Sequence, residues 1–265
     1  MQNSIVYKNT KISFSSKGKG AAIVFLHGFL ENSSMWKPFT EVLSTNNRVI
    51  CIDLLGHGNS DCMGYVHSME LMADAVEAVL RHLRIRKPIV IGHSMGGYVA
   101  LAFAEKNVDK IKGFCLMNSS AKEDDIERKK LRIRANKLVP KNFKSMVQLS
   151  FANLFSEQSR AVFKNEMNVG IQDALKTSIQ GYIACQEGMI IRPNREHVLQ
   201  KLSCKKLLII GKEDPVLELE TSLKEGRKYH METVVFNDGH MSHIENKNDL
   251  ILVLKKFVIA VKKGN

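Results

Sequence analysis

The chain has 265 residues, 44% hydrophobic and 25% charged, which is long enough to bury a sizeable core as one large domain or two small ones. No apolar run reaches the roughly 18 residues of a membrane span, and the polar start Met1-Gln2-Asn3-Ser4 lacks a signal peptide's basic and apolar regions, so a secreted or membrane-spanning protein is disfavoured. The formal charge of +12 is spread along the chain with few aromatics among the basic residues and no nucleic-acid reader motif, so no nucleic-acid partner is expected.

In chain order, the segments around Ile5 to Tyr7 and Lys11 to Phe14 alternate like antiparallel strands joined by an Asn9-Thr10 turn, forming one edge of a sheet. Ala21 to Leu26 is a continuous apolar run ending at His27-Gly28, the pattern of a strand buried on both faces. A helix is expected from about Ser34 to Leu43, burying Trp36, Phe39 and Leu43. Further short apolar runs fall at Arg48 to Ile52, Pro88 to Ile91, Ile111 to Met117, Lys206 to Ile210 and Glu232 to Phe236. Between them, Met69 to Leu83 spaces its apolar residues on one helical face behind a Ser68 cap, and a last helix is expected from Asn248 to Val261. Strands alternating with helices imply an α/β fold built on a mostly parallel sheet.

From Ser120 to about Leu202 the strand pattern stops and a charge-rich helical stretch takes over. The expected division is a core of residues 1–119 and 203–265 with a helical cap, 120–202, over the C-terminal ends of the strands, where open parallel sheets hold ligands. Cys51, Cys62, Cys115, Cys185 and Cys204 are scattered, with no C-x-x-C spacing, which argues against a disulfide framework or zinc site and fits a reducing cytoplasm.

The chemistry concentrates in three places. Gly92-His93-Ser94-Met95-Gly96-Gly97 follows a strand and opens a helix, the setting of a G-x-S-x-G nucleophile elbow, where a sharp turn lifts the serine hydroxyl above the sheet. A serine hydroxyl is a weak nucleophile without a base and an acid to orient that base. The order for such an elbow is serine, acid, histidine, and Asp214 and His240 each follow a late strand. Glu213 and Asp238 are rivals for the acid, and His243 for the base. The other histidines, His57, His67, His82, His197 and His230, have no metal-ligand spacing, and no Walker loop or dinucleotide fingerprint is present, so neither metal nor cofactor is expected.

With these residues in view, the chain resembles the α/β-hydrolase superfamily, and in particular its small Ser-His-Asp members such as bacterial esterases and haloperoxidase-like perhydrolases. The matching pieces are His27-Gly28-Phe29 after a strand, Asp53-Leu54-Leu55-Gly56-His57-Gly58-Asn59-Ser60, the elbow at Gly92 to Gly97, Gly211 to Asp214, and Gly239-His240 with Glu245 five residues on. The resemblance implies a triad of Ser94, Asp214 and His240, favours His240 over His243, and implies an oxyanion hole from the Phe29 and Met95 amides. It also implies that His27, Gly28, Gly92, His93 and Gly96 shape the site, as do Asp53, Gly56 and Gly58. Some relatives carry the acid at the place of Asn118, which cannot be an anion and so strengthens Asp214.

The expected reaction is hydrolysis of a small-molecule ester through an acyl-enzyme, with Met146, Leu149, Phe151, Phe155, Ile179 and Tyr182 as candidates for the pocket roof. Tyr98 and Trp36 could also line a pocket, with core packing as their expected fate. Two alternatives keep the same triad. One is carbon–carbon hydrolysis or a menaquinone-pathway-like elimination, with Arg128, Arg132, Arg134, Arg160, Arg192 or Arg195 holding a substrate carboxylate. The other is ligand sensing, as in the hormone receptors built on this fold. Oligomeric state has no signal in the sequence.

Overall fold

A computed structural model describes residues 2–264. Its strands are β1 (Gln2–Tyr7), β2 (Thr10–Lys17), β3 (Ala21–Leu26), β4 (Asn47–Ile52), β5 (Ile89–His93), β6 (Gly113–Met117), β7 (Lys205–Gly211) and β8 (Glu232–Phe236). They form one sheet in the order β1-β2-β4-β3-β5-β6-β7-β8, antiparallel from β1 to β4 and parallel from β4 onward. Tyr7 pairs with Thr10, so the first turn is Lys8-Asn9, one residue earlier than its sequence suggests. Both turn residues have positive φ, 46° and 62°, the twist that a two-residue hairpin needs.

The central strands read as continuous apolar runs because both faces are covered. Ile23, Phe25, Val49, Cys51, Ile89 and Ile91 point into one core cluster, while Val24, Leu26, Ile50, Ile52 and Val90 point into the other. Removing any of these large side chains would cost about 2–5 kcal/mol, the transfer term plus the cavity left behind.

The helices in chain order are α1 (Lys37–Leu43), α2 (Met69–His82), α3 (Met95–Lys106), α4 (Ile126–Ala152), α5 (Glu157–Val162), α6 (Lys164–Ala174), α7 (Ile179–Ile190), α8 (Glu196–Lys201), α9 (Leu219–Lys228), α10 (Ser242–Glu245) and α11 (Lys247–Lys263). The α2 start is as expected, with Ser68 Oγ accepting the Leu71 amide at 3.1 Å. The helix expected from Ser34 is split: a 3₁₀ turn, Ser33–Trp36, capped by Asn32, leads into α1, and Pro38 sits in the first turn of α1, where its missing N–H is harmless. Trp36 is fully buried and stacks on Phe25 with ring centroids 4.5 Å apart, so it belongs to the core and not to a pocket.

Five helices, α4 to α8, lie between β6 and β7. The long α4 breaks at Asn142 (φ −134°, ψ 31°), two residues past Pro140, whose ring cannot continue the hydrogen-bond ladder. Val139, Val147, Phe151, Phe155, Ile171 and Tyr182 give these helices a core of their own, joined by Leu30 and Met241 from the sheet loops. Val198 and Leu199 of α8 pack instead against the α2–α3 side of the sheet. Among the described residues, no helix is long and apolar enough to cross a membrane.

Candidate active site

Every parallel strand from β3 and β5 to β8 delivers a polar group at the same edge of the sheet. β5 ends at His93, and Ser94 begins α3 with φ 49° and ψ −118°, a conformation that costs a non-glycine residue roughly 1–3 kcal/mol. The turn is possible because its neighbours lack side chains. A Cβ on Gly92 would collide with the Gly96 carbonyl, and one on Gly96 with the Leu26 carbonyl, both backbone atoms that no rotamer change can move. Ser94 is held from both sides, its amide donating to Met117 O at 3.0 Å and its carbonyl accepting from Ser119 Oγ at 2.8 Å.

His240 Nε2 lies 2.9 Å from Ser94 Oγ, and His240 Nδ1 lies 2.8 Å from Asp214 Oδ2. Asp214 is acceptor-only, so Nδ1 carries the hydrogen and Nε2 accepts from the serine hydroxyl. The second carboxylate oxygen, Oδ1, accepts the Val216 and Leu217 amides at 2.8 and 3.1 Å, and Asn118 Nδ2 donates to Oδ2 at 3.1 Å. Burial pushes the Asp214 carboxyl up, but the facing His240 and these donors outweigh it and hold its pKa below the usual carboxylate range.

The rivals are placed elsewhere. Glu213 is exposed, Asp238 accepts from Ser159 Oγ, and His243 faces Glu31 at 3.3 Å. Glu245 frames the histidine loop, with Oε1 accepting the Gly239 amide at 3.1 Å and Oε2 the Met241 amide at 2.9 Å.

Among the described residues, neither the Phe29 nor the Met95 amide donates to another group of the chain; Phe29 lines the same cavity as Ser94, and Met95 follows Ser94 as the first residue of α3. The loop carrying Phe29 is braced by two buried neutral histidines. His27 Nδ1 donates to Gly28 O at 2.8 Å while its Nε2 accepts the Leu54 amide at 2.9 Å. His57 Nε2 accepts the Leu30 amide at 3.1 Å, and burial drives its pKa down to about 3. Leu30 itself has φ 64°. Asp53 shapes the next loop, accepting the Ser33 and Asn59 amides at 2.8 and 3.0 Å, while Gly58 (φ 56°) turns where a Cβ would strike that carboxylate.

Residues 21–247 match the family model described as the alpha/beta hydrolase fold. The chain belongs to that family. A thermophilic esterase from Thermogutta terrifontis, in a malate-bound structure, is 28% identical to this hydrolase-fold chain, with a TM-score of 0.92 over 98% of this chain and 99% of that one. The 3-oxoadipate enol-lactonase 1 of Acinetobacter baylyi is 26% identical over 264 residues, 96% of this chain and 95% of its own. An enol-lactonase from Burkholderia xenovorans shares the fold at a TM-score of 0.90 and 19% identity, covering 97% and 100% of the two chains.

In this α/β-hydrolase-fold protein a cavity of about 440 Å³ opens over Ser94 and His240. Of the six apolar residues expected in its roof, Leu149 and Tyr182 line it. The expectation fails for Phe151 and Phe155, which are buried in the packing of the α4–α7 helices, and for Met146, which packs against them. Ile179 does not line the cavity either. Phe151 faces the other way because Gly170 of α6 leaves a gap that its ring fills. Tyr98 lines the cavity, with the Arg192 guanidinium 3.8 Å over its ring.

Two of the six arginines, Arg128 and Arg132, one turn apart on α4, line the same cavity. Arg132 is anchored by Asp124 at 2.5 Å and Gln186 at 2.7 Å, whereas Arg128 is held by the Val216 carbonyl at 2.8 Å. Arg192 is spent on Asp124 and the Lys122 carbonyl, and Arg195 on Glu70 and Glu105. Arg134 is exposed, and Arg160 reaches Asn153 at 3.4 Å.

Glu31 has no local sequence signal, yet it joins His93 and His243 in a group whose ligand-type atoms lie within 4.8 Å of one another. That spacing could admit a metal ion, but Glu31 Oε2 already sits 2.7 Å from both His93 Nδ1 and the Gly28 amide, the separations of hydrogen bonds.

Proposed function

We propose that this protein is a serine hydrolase that cleaves a carboxylic ester of a small molecule. The observation that carries this reading is the unbroken chain from Ser94 Oγ through His240 to Asp214, 2.9 and 2.8 Å long, opening into the cavity. Ser94 attacks the carbonyl as His240 Nε2 takes its proton, and Asp214 stabilises the imidazolium that forms. The oxygen that gains charge is received by the Phe29 and Met95 amides, fixed before the reaction begins. His240 returns the proton to the leaving alcohol, and water repeats the sequence on the acyl-enzyme. No cofactor enters any step.

On this reading α4 to α7 act as a cap that selects the substrate, with Leu149, Tyr182 and Leu131 as apolar wall. The likeness to an esterase at 28% identity supports ester chemistry. Five unpaired cysteines, three of them buried, suit a reducing compartment such as the cytoplasm.

A second reading has two observations in its favour. Arg128 and Arg132 give the cavity positive charge, and the Acinetobacter relative is named for the enol-lactone of a carboxylate, 3-oxoadipate. A carboxylated substrate could then be an ester, a lactone, or a molecule cleaved at carbon–carbon or by elimination with the same triad.

The test is initial rates on p-nitrophenyl esters from acetate to palmitate, with Ser94→Ala as the blank. Serine-dependent cleavage is the expected result, its chain-length optimum measuring the cavity. No turnover above the blank on any ester would overturn ester hydrolysis and turn the search to carboxylated substrates or to ligand sensing.

A further inference from the structure

A second acid–histidine pair lies directly behind the first. Glu31 follows the turn after β3, and its side chain is 4% exposed. One of its oxygens, Oε2, accepts the Gly28 amide at 2.7 Å and faces His93 Nδ1 at 2.7 Å. The other nitrogen of His93, Nε2, lies 3.0 Å from the carbonyl oxygen of His240. A carbonyl can only accept, so Nε2 carries a hydrogen, and a further proton must lie between Nδ1 and the carboxylate.

Charge balance agrees with this geometry. Burial alone would raise the Glu31 carboxyl, but the facing His93 and His243 bring it down to about 2. Burial alone would lower His93, but the Glu31 carboxylate outweighs it and raises it. His243, on the far side with Nε2 3.3 Å from Oε1, is held down at about 4 by burial and is neutral near pH 7. The pair is therefore an imidazolium and a carboxylate, both buried.

Such a pair is a poor way to gain stability, since desolvation consumes most of the attraction. Its connections explain it better. A single carboxylate oxygen ties the loop that leads to Phe29, the residue next to the nucleophile, and through His93 the main chain of the general base. We propose that Glu31 is a positioning residue that holds the oxyanion loop, the elbow and His240 in register through His93. The proposal rests on Ser94 being the nucleophile of a hydrolase.

The experiment pairs ester kinetics with labelling by a fluorophosphonate, in which Ser94 Oγ bonds to phosphorus, fluoride leaves, and His240 takes the serine proton. Wild-type protein that is not labelled at Ser94 sinks the hydrolase reading itself. If it is labelled, Glu31→Gln is expected to slow labelling and kcat together by about tenfold to a hundredfold, the scale of a small misplacement of reacting groups, with KM within about twofold. Glu31→Asp, which keeps the charge but cannot span Gly28 and His93 together, is expected to stay slow.

Wild-type labelling and kcat in Glu31→Gln, or full rescue by Glu31→Asp, would overturn the proposal. Because Glu31→Gln could fail to fold, the ring nitrogens of the unaltered protein provide a second measurement. Nitrogen-15 NMR at pH 7 is expected to find His93 doubly protonated and His243 singly protonated. A neutral His93 beside an ionised Glu31 would overturn the proposal as well.

Discussion

Asn118 donates its side-chain amide to Asp214 Oδ2 at 3.1 Å and to the Gly239 carbonyl at 3.3 Å, while its own oxygen accepts from Ser242 Oγ at 2.7 Å. Asn118, directly after β6, thus joins Asp214 to the loop that carries His240. A hydrogen bond to a charged group contributes about 1.5–3 kcal/mol, so Asn118→Ala is expected to lower kcat by roughly tenfold to a hundredfold. Steady-state kinetics on the best ester would check this, and an unchanged kcat would show that Asp214 is held well enough by the Val216 and Leu217 amides.

Asp214→Asn leaves the shape nearly unchanged but offers His240 Nδ1 the wrong partner. Its kcat is expected to fall by roughly 10⁴, while a change at His243, which faces Glu31 and not Ser94, should spare far more activity than His240→Ala. Side-by-side kinetics of the three variants decide which histidine is the base.

The strain at Ser94 predicts a trade between stability and activity. Glycine adopts φ 49° without penalty, so Ser94→Gly should abolish ester turnover and stabilise the fold by about 1 kcal/mol, a rise of roughly 2–4 °C in a domain of this size. Calorimetry reads this directly. A midpoint at or below that of wild type would show that the elbow stores no strain.

The buried histidines predict how stability follows pH. His57, His67 and His243 titrate at about 3, 4 and 4 in the folded protein, against 6.5 when exposed, all because burial disfavours the charged ring. Below pH 6.5 the unfolded chain takes up protons that the folded chain refuses, so stability falls as pH drops from 6.5 toward 4, by up to about 1.4 kcal/mol per unit for each histidine. His93 has the opposite sign and acts in a different window: its raised pKa adds stability that is fully present below 6.5 and is lost as pH rises through its folded value, so it leaves the decline below 6.5 unchanged. Denaturant midpoints between pH 4 and 8 should therefore decline on the acid side, and a flat profile would contradict the neutral, buried rings.

Arg128 and Arg132 predict a preference for charge. An ester bearing a free carboxylate should have a higher kcat/KM than its neutral isostere, and Arg128→Met should erase the difference while sparing the neutral ester. Equal rates on both esters in the wild type would leave these side chains with no part in substrate choice.

Much of the fold was legible in the chain because its signals are local. A strand buried on both faces must be apolar throughout, which marks Ala21 to Leu26 and Leu207 to Ile210 without any knowledge of their neighbours. The elbow is local too, since its turn demands glycines at 92 and 96, and Asp214 and His240 stand out because each follows a late strand. Tertiary structure alone decided the rest. Glu31 meets His93 from 62 residues away and Asn118 meets Asp214 from 96, distances across which no pattern in the sequence carries information. Helical spacing likewise shows that α4 has an apolar face but not which neighbour it meets: Leu149 turns to the cavity, and Phe151, two residues on, fills the gap at Gly170.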